Sequence, residues 1–599
     1  MQICRISIDN FRGIKQGIVD IAGHTVFVGD NNSGKSTVFE AIDLVMGPDR
    51  LNRHPVIDEH DFYAGEYYIE GVAREITIEV IVIGLSEEQR IYFGNHIEWW
   101  NTLERRIIDG PPASATDDEG VAAALRLRFV GRYDPEEDDF VGQTLYSSSL
   151  REGGHPVPFT TKDKRMCGFL YLRTLRTGKR ALSLERGSLL DIILKLREMH
   201  PQMWEKVISQ LKEVSVAADP ELGINEILSS VQTAISSLVT HETANEPHIR
   251  VSNLTREHLR SVLTVFLGSG EYNSLGEEYS TPYYRQGTGT INTLVLALLS
   301  IIAEAKENVI FAMEEPEIAL PPHVQKRVVL SVIEKSNQAL FTSHSPYVLE
   351  EFHPDNIAVL SRASGTLCSK PAKLPPTIRL KKYREEMKRR LCEGLLSRRV
   401  LITEGKTEYD VYRAASRKLQ EEHPESNLSL ELLGVSLFDA ESETKIAGLA
   451  EYFKSLGKTV FAVFDKQSPK NLTDIALNTD RAFEASEKGI ENVVLKGIPY
   501  FKLLSYGIEL VENGEWPNDP HMKMPYEGMP EEELYSSLFE FFKKHKGDGA
   551  LADLVSSCNE EEMPKFIVDT IYEISRLSAG NRQQITEDAI SPDYPMEDE

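Results

Sequence analysis

Apolar residues in the first fifty positions follow two periods. Ile6 and Ile8 alternate with polar neighbours, Thr25 to Val28 is a short apolar run, and Ile76 to Ile83 is rich in β-branched residues, so each predicts a strand. From Ser36 onward Val38, Ala41, Ile42 and Val45 recur at helical spacing on one face, and Gly47-Pro48 ends the pattern. The order is strand, glycine-rich loop, helix. Between Ser188 and Thr240 the segments LLDIILKL, MWEKVISQLKEV and INEILSSVQTAISSLV interrupt a strand-rich pattern and predict an inserted helical arm. TINTLVLALLSIIAEA then reads as a nearly all-apolar helix, and NVIFAM and QALFTS as buried strands. Three prolines among small residues in SGTLCSKPAKLPPT, 364–377, predict a linker, with a second α/β unit beyond it. Polar runs at 109–120 and at 134–139 (DPEEDD) predict exposed loops, and the tail from Thr586, with six acids and no base, predicts disorder.

Length and charge narrow the class. A chain of 599 residues exceeds one hydrophobic core, so at least two domains are expected. No run of eighteen apolar residues occurs, and the charged start MQICRISIDNFRG is no signal peptide, which predicts a cytoplasmic protein with no membrane partner. The five cysteines show no metal-ligand or disulfide spacing. With 93 acids against 66 bases, the net charge of −27 argues against nucleic-acid binding over the whole surface. One local basic track, KKYREEMKRRLCEGLLSRR at 381–399, stands against that background, and a solvated helix face explains it equally well.

The loop GDNNSGKST, residues 29–37, fits GxxxxGK[ST] and lies between a predicted strand and a predicted helix. Backbone N–H groups from Gly29, Asn31, Asn32, Ser33, Gly34 and Thr37 suit phosphate oxygens, Lys35 suits the outer phosphates of ATP, and Ser36 suits Mg²⁺. Downstream, NVIFAMEEPEIAL delivers Glu314 and Glu315 to the end of an apolar strand. Glu314 is expected to support Mg²⁺ and Glu315 to polarise the attacking water. Paired acids before a proline also fit a solvated turn, but the phosphate loop upstream favours the ATP reading.

With NFRGI at 10–14, the phosphate loop, EEPE and TSHSP in this order, the chain resembles the ABC ATPase heads of the RecF and SMC type. That resemblance implies that His344 senses the γ-phosphate. It also implies that RQGTGTINTLVLALL is the signature loop and helix, with Gly287, Thr288 and Gly289 capping the nucleotide of a partner protomer. Serine is usual at 288 and aspartate at 314, so Thr288 and Glu314 are departures. A homodimer or higher homo-oligomer with ATP at its interface follows, with the helical insert as dimer contact. Arg173 and Arg176 are candidates for the γ-phosphate, and Asp61 in HDFY is a further candidate, each weighed against a surface role.

In the C-terminal unit, VLITEGKTEYDVYRAASRKL places Glu404 and Gly405 at a strand end and Glu408 on the following helix, and TVFAVFDKQ repeats the design with Asp465. Acids at the C-terminal ends of neighbouring parallel strands converge, and converging carboxylates call for a divalent cation. These residues resemble a Toprim fold. The full order of ATPase head, helical insert, second half of the head and Toprim is similar to the overcoming-lysogenisation-defect (OLD) endonucleases, which include the Gabija nuclease subunit and retron effectors.

The resemblance implies an α/β chain divided into ATPase halves at 1–185 and 249–368, a helical insert at 186–248, a Toprim domain at 379–585 and an acidic tail at 586–599. It implies phosphodiester hydrolysis of DNA with Mg²⁺ or Mn²⁺, with Glu404 and Glu408 as ligands or base, Asp465 as ligand and Lys546 stabilising the transition state. Antiphage defence is the implied role, with a helicase, a reverse transcriptase or a noncoding RNA as further partners. Two departures stand out: Gln467 replaces the second acid of a DxD pair, and Lys502 falls where an acid after Phe501 is usual, with Glu509 or Glu512 as substitutes. They leave open a single-metal, partner-dependent or inactive site, the last being an ATP-driven scaffold.

Overall fold

The computed structural model describes residues 1–587 except 49, 51–54, 109–119, 151–154, 173–181, 186–187, 198–199, 214–223, 239–254, 288–289, 292–293, 296, 299–300, 303–308, 319, 376–387, 426–427 and 520–521. It forms two compact units: Met1–Val26 with Ser36–Glu351, and Phe27–Lys35 with Phe352–Glu599.

In the first unit, β1 (Gln2–Phe11) pairs antiparallel with β2 (Ile14–Asp20). Ile6 and Ile8 are fully buried as their alternation predicts, and an irregularity between Ile3 and Arg5 shifts the register so that Ile3 is buried too. The chain leaves this unit within β3 (Thr25–Val28), all four residues of which are buried. Helix α1 (Lys35–Met46) follows the glycine-rich loop. It buries Phe39 and Leu44 as well as Val38, Ala41, Ile42 and Val45, so it is enclosed on more than the single face that the spacing predicted. The fully buried Lys164 donates to the Leu44 carbonyl at 2.9 Å, in the last turn of the helix, and burial holds its amine down at about 7.

Strand β4 (Glu75–Ile83) pairs with β1 and with β5 (Val121–Asp134), and β5 pairs with β6 (Asp139–Tyr146), all antiparallel. The acid run 134–139 contains the exposed turn 135–138 between the last two. A parallel trio completes the core: β7 (Phe169–Leu172), β8 (Ile310–Glu314) and β9 (Gln338–Thr342). Every residue of β8 and β9 is buried, which is why both read as continuous apolar runs. Helices Leu189–Leu196, His200–Glu213 and Ile224–Leu238 occupy the predicted insert, where Trp204 packs with Leu184 and Leu259.

The second unit corrects one expectation. Residues 364–371 are not linker: β10 (Ile357–Ala363) and β11 (Thr366–Pro371) form a hairpin around Ser364 and Gly365, both at positive φ, 48° and 78°. A two-residue turn of that kind matches strand twist, and small residues there read deceptively as a linker. Beyond it lies a four-stranded parallel sheet in the order β13 (Val435–Asp439), β12 (Arg399–Thr403), β14 (Thr459–Phe464), β15 (Arg481–Glu484). Helix α2 (Lys406–Glu422) buries Val411, Tyr412, Ala415 and Leu419 against it, and α3 (Glu443–Ser455) connects β13 to β14. Among the described residues, no helix is long and apolar enough to cross a membrane.

Candidate functional sites

The phosphate loop is shaped by three residues at positive φ, Gly29 at 155°, Asn32 at 70° and Gly34 at 98°. At position 29 only glycine fits, since a Cβ there would lie 2.3 Å from the Leu360 carbonyl oxygen. The Lys35 ammonium donates to the carbonyls of Gly29 and Asp30 at 2.7 and 2.8 Å, holding the loop curled. Ser33 Oγ is buried with no hydrogen-bond partner among the described residues. An orphaned hydroxyl in a curl of backbone amides at a helix start fits a phosphate oxygen.

Glu314, 8% exposed, ends β8 and accepts a 2.6 Å bond from the Tyr171 hydroxyl on β7. Glu315 follows with φ of 46°, a conformation that a side chain adopts only under strain. Its N–H donates to Thr342 O at 2.9 Å, which fixes the turn. Glu317 accepts from the His344 N–H at 2.6 Å and from Ser343 Oγ at 2.9 Å, and burial raises its pKa. Glu317 therefore ties the EEPE turn to the TSHSP loop, on which the His344 side chain is exposed. It was not singled out from the sequence, although EEPE contains it. Asp61 is buried and its carboxylate accepts from Arg12 Nε at 2.7 Å, and Arg12 also lies 3.6 Å from Glu40 of α1. Gly287 accepts N–H bonds from Thr290 and Ile291 at a helix start. Thr288, Gly289, Arg173 and Arg176 lie outside the described residues.

In the second unit the phosphate loop shares its surroundings with the start of the parallel sheet. Asp30 lies 3.9 Å from Arg398, the residue before β12. The neighbouring Lys458 ammonium caps the Leu395 carbonyl at 2.6 Å, and burial holds its pKa down at about 8 against the pull of Asp30.

At the other end of β12 the parallel register pairs Thr403 with Asp439 and with Val463, so the chain exits these strands along one edge. Glu404, Glu443 and Asp465 meet there, with ligand oxygens all within 4.8 Å of one another. The expected partners Glu404 and Asp465 are thus brought together, and Glu443, from the first turn of α3, is an addition that sequence reasoning missed. Gly405 is extended rather than left-handed; a Cβ there would press on Glu408 Oε2 at 3.1 Å, so the glycine supplies space. Glu408 is 9% exposed and its pKa is raised, chiefly by burial, with the charge of Glu491 acting in the same direction. Lys546 lies 3.8 Å from Glu491, so Glu408, Glu491 and Lys546 form a neighbouring group. Lys502 faces Glu562 at 4.0 Å.

The Gln467 amide nitrogen donates to Asp465 Oδ1 at 3.1 Å and to Glu404 Oε2 at 3.5 Å, while its oxygen is buried with no partner among the described residues. An orphaned oxygen beside three carboxylates is the donor set that a hard divalent cation takes. Burial, then the charge of Asp465, pushes the Glu404 carboxyl up to about 7. A folded pKa above the unfolded value means that this group's stabilisation is complete in acid and is lost as pH rises through 7. In cation-free protein the melting temperature is therefore expected to fall between pH 5.5 and about 8 more steeply than in Glu404→Gln, with added Mg²⁺ restoring most at the alkaline end. Parallel slopes for the two proteins would contradict this reading.

Two family models match the chain. Residues 1–119 and 168–349, half of the chain, match the AAA ATPase domain family. Residues 395–466 match the Toprim domain of overcoming lysogenization defect protein-like proteins. The Old nuclease of Escherichia phage P2 is 24% identical over 453 residues, 70% of each chain. Among solved structures, an Smc head domain from Pyrococcus furiosus bound to a ScpA domain matches at 13% identity and TM-score 0.32, covering 62% of this chain and 96% of that one. Stu0660 of Streptococcus thermophilus matches at 10% identity and TM-score 0.30, covering 82% and 98%. The chain belongs to the AAA ATPase domain family, in the branch that joins this ATPase to a Toprim domain of the overcoming-lysogenization-defect type.

Proposed function

We propose that this protein is an ATP-binding, nucleotide-regulated DNA endonuclease of the OLD type that works as a homodimer or higher homo-oligomer in antiphage defence. The observation that carries the reading is the convergence of Glu404, Glu443 and Asp465 at one edge of a parallel sheet, in a chain that also holds a phosphate loop. A divalent cation held by these carboxylates, Mg²⁺ or Mn²⁺, would neutralise charge on a scissile phosphate and make a bound water more acidic. The residues themselves orient that chemistry. Asp465 is fixed by the Gly489 N–H at 2.9 Å, and Lys546, beside Glu491, offers a cation for the phosphate oxygens.

The loop 29–37 would hold the phosphates of ATP, Glu314 would support a magnesium ion and Glu315 would position a water, while Glu317 keeps the His344 loop in register. Packing of Asp30 beside Arg398 supports regulation, because β12 runs from that contact to Glu404 as a single rigid strand. A second reading, an ATP-driven DNA-binding switch or assembly scaffold with a silent Toprim site, draws on Gln467 and Lys502.

Plasmid cleavage with Mg²⁺ or Mn²⁺, with and without ATP, separates the two. Wild type is expected to nick or cut DNA, Glu404→Ala to lose that activity, and Lys35→Ala to cut at a rate that no longer responds to ATP. Absence of cleavage under every condition, with nucleotide binding intact, would favour the scaffold.

A further inference from the structure

Tyr171 is the one hydroxyl-bearing residue of the short strand β7, FLYL, which runs parallel to β8 in the first unit. In register, Tyr171 pairs with Ala312 and Leu172 with Met313, which brings the phenol alongside the end of β8. Its hydroxyl meets Glu314 Oε1 at 2.6 Å, the length of a charge-assisted bond. The ring stands edge-on to Phe39 of α1, centroids 6.0 Å apart, and α1 is the helix that opens at the phosphate loop.

A glutamate carboxylate hangs on three rotatable bonds and reaches a given point only if a second anchor selects among its rotamers. Glu314 is 8% exposed, and burying its charge without a donor would be costly. We infer that Tyr171 is a positioning residue for the ATP site: braced on Phe39, it holds the Glu314 carboxylate where the magnesium of bound ATP must find it. The inference rests on the assignment of Glu314 to magnesium.

The experiment measures ATP hydrolysis against Mg²⁺ concentration, and ATP binding without metal, for wild type, Tyr171→Phe, Glu314→Gln and the double variant. Tyr171→Phe keeps the ring and its packing. It is expected to raise the half-saturating Mg²⁺ roughly tenfold, the scale of one hydrogen bond to a charged group. Metal-free ATP binding and melting temperature are expected to stay near wild type, and the double variant to behave like Glu314→Gln alone. If Glu314→Gln shifts the Mg²⁺ profile while Tyr171→Phe does not, or if the two effects simply add, the positioning role is overturned. If Glu314→Gln itself leaves the Mg²⁺ profile unchanged, the assignment of Glu314 fails and this inference with it. A Tyr171→Phe protein that loses metal-free ATP binding would show a merely structural tyrosine and overturn the proposal.

Discussion

Glu443→Gln is expected to lower metal-dependent DNA cleavage by at least about 100-fold, close to the loss in Glu404→Gln, because each removes one of three converging carboxylates. The amide keeps the volume and the helix start, so folding is preserved. Ser442 remains the N-cap of α3 and accepts from the Thr444 N–H whatever stands at 443. Glu408→Gln is expected to cost less, since Glu408 lies with Glu491 and Lys546 rather than in the tight trio. Plasmid cleavage, with Mn²⁺ affinity measured by calorimetry on the same proteins, checks this. Wild-type cation affinity in Glu443→Gln would remove Glu443 from the site, and a Glu408→Gln loss equal to that of Glu404→Gln would place the cation nearer α2.

What was legible in the sequence is what the chain writes locally. A strand, a loop with glycines at 29 and 34 and a lysine-serine pair is one continuous segment, and the acids at the ends of VLIT and TVFAVF inherit their place from the strands before them. Glu443 was hidden because its local pattern, Ser-Glu-Thr-Lys, is already explained by helix capping, and only the register of β13 against β12 carries it to Glu404. Glu491 was hidden in the same way, as an ordinary acid in the first turn of Ile490–Gly497. Tyr171 reads as a strand aromatic until β8 is laid beside it. The second strand of the hairpin, Thr366–Pro371, reads as linker because prolines and small residues outweigh a two-residue turn.

Glu315→Gly is expected to uncouple stability from activity. A side chain held at φ 46° costs on the order of 1 kcal/mol, which glycine does not incur, although its greater freedom in the unfolded chain returns part of that gain. The variant's melting temperature is therefore expected to equal or slightly exceed that of wild type. Hydrolysis of ATP, deprived of the carboxylate assigned to the water, is expected to fall by roughly 100- to 10,000-fold, the usual worth of a positioned general base. Because Lys35 and the amides of the phosphate loop are untouched, MgATP binding should persist, and the trapped state should exert on the Toprim site whatever effect ATP exerts in wild type. Calorimetry, a thermal melt and a phosphate-release assay on one preparation measure all three. A clearly lowered melting temperature would show that Glu315 is held for the fold, and near-normal turnover would assign the water to another residue of the EEPE turn, with Glu317 the first to test.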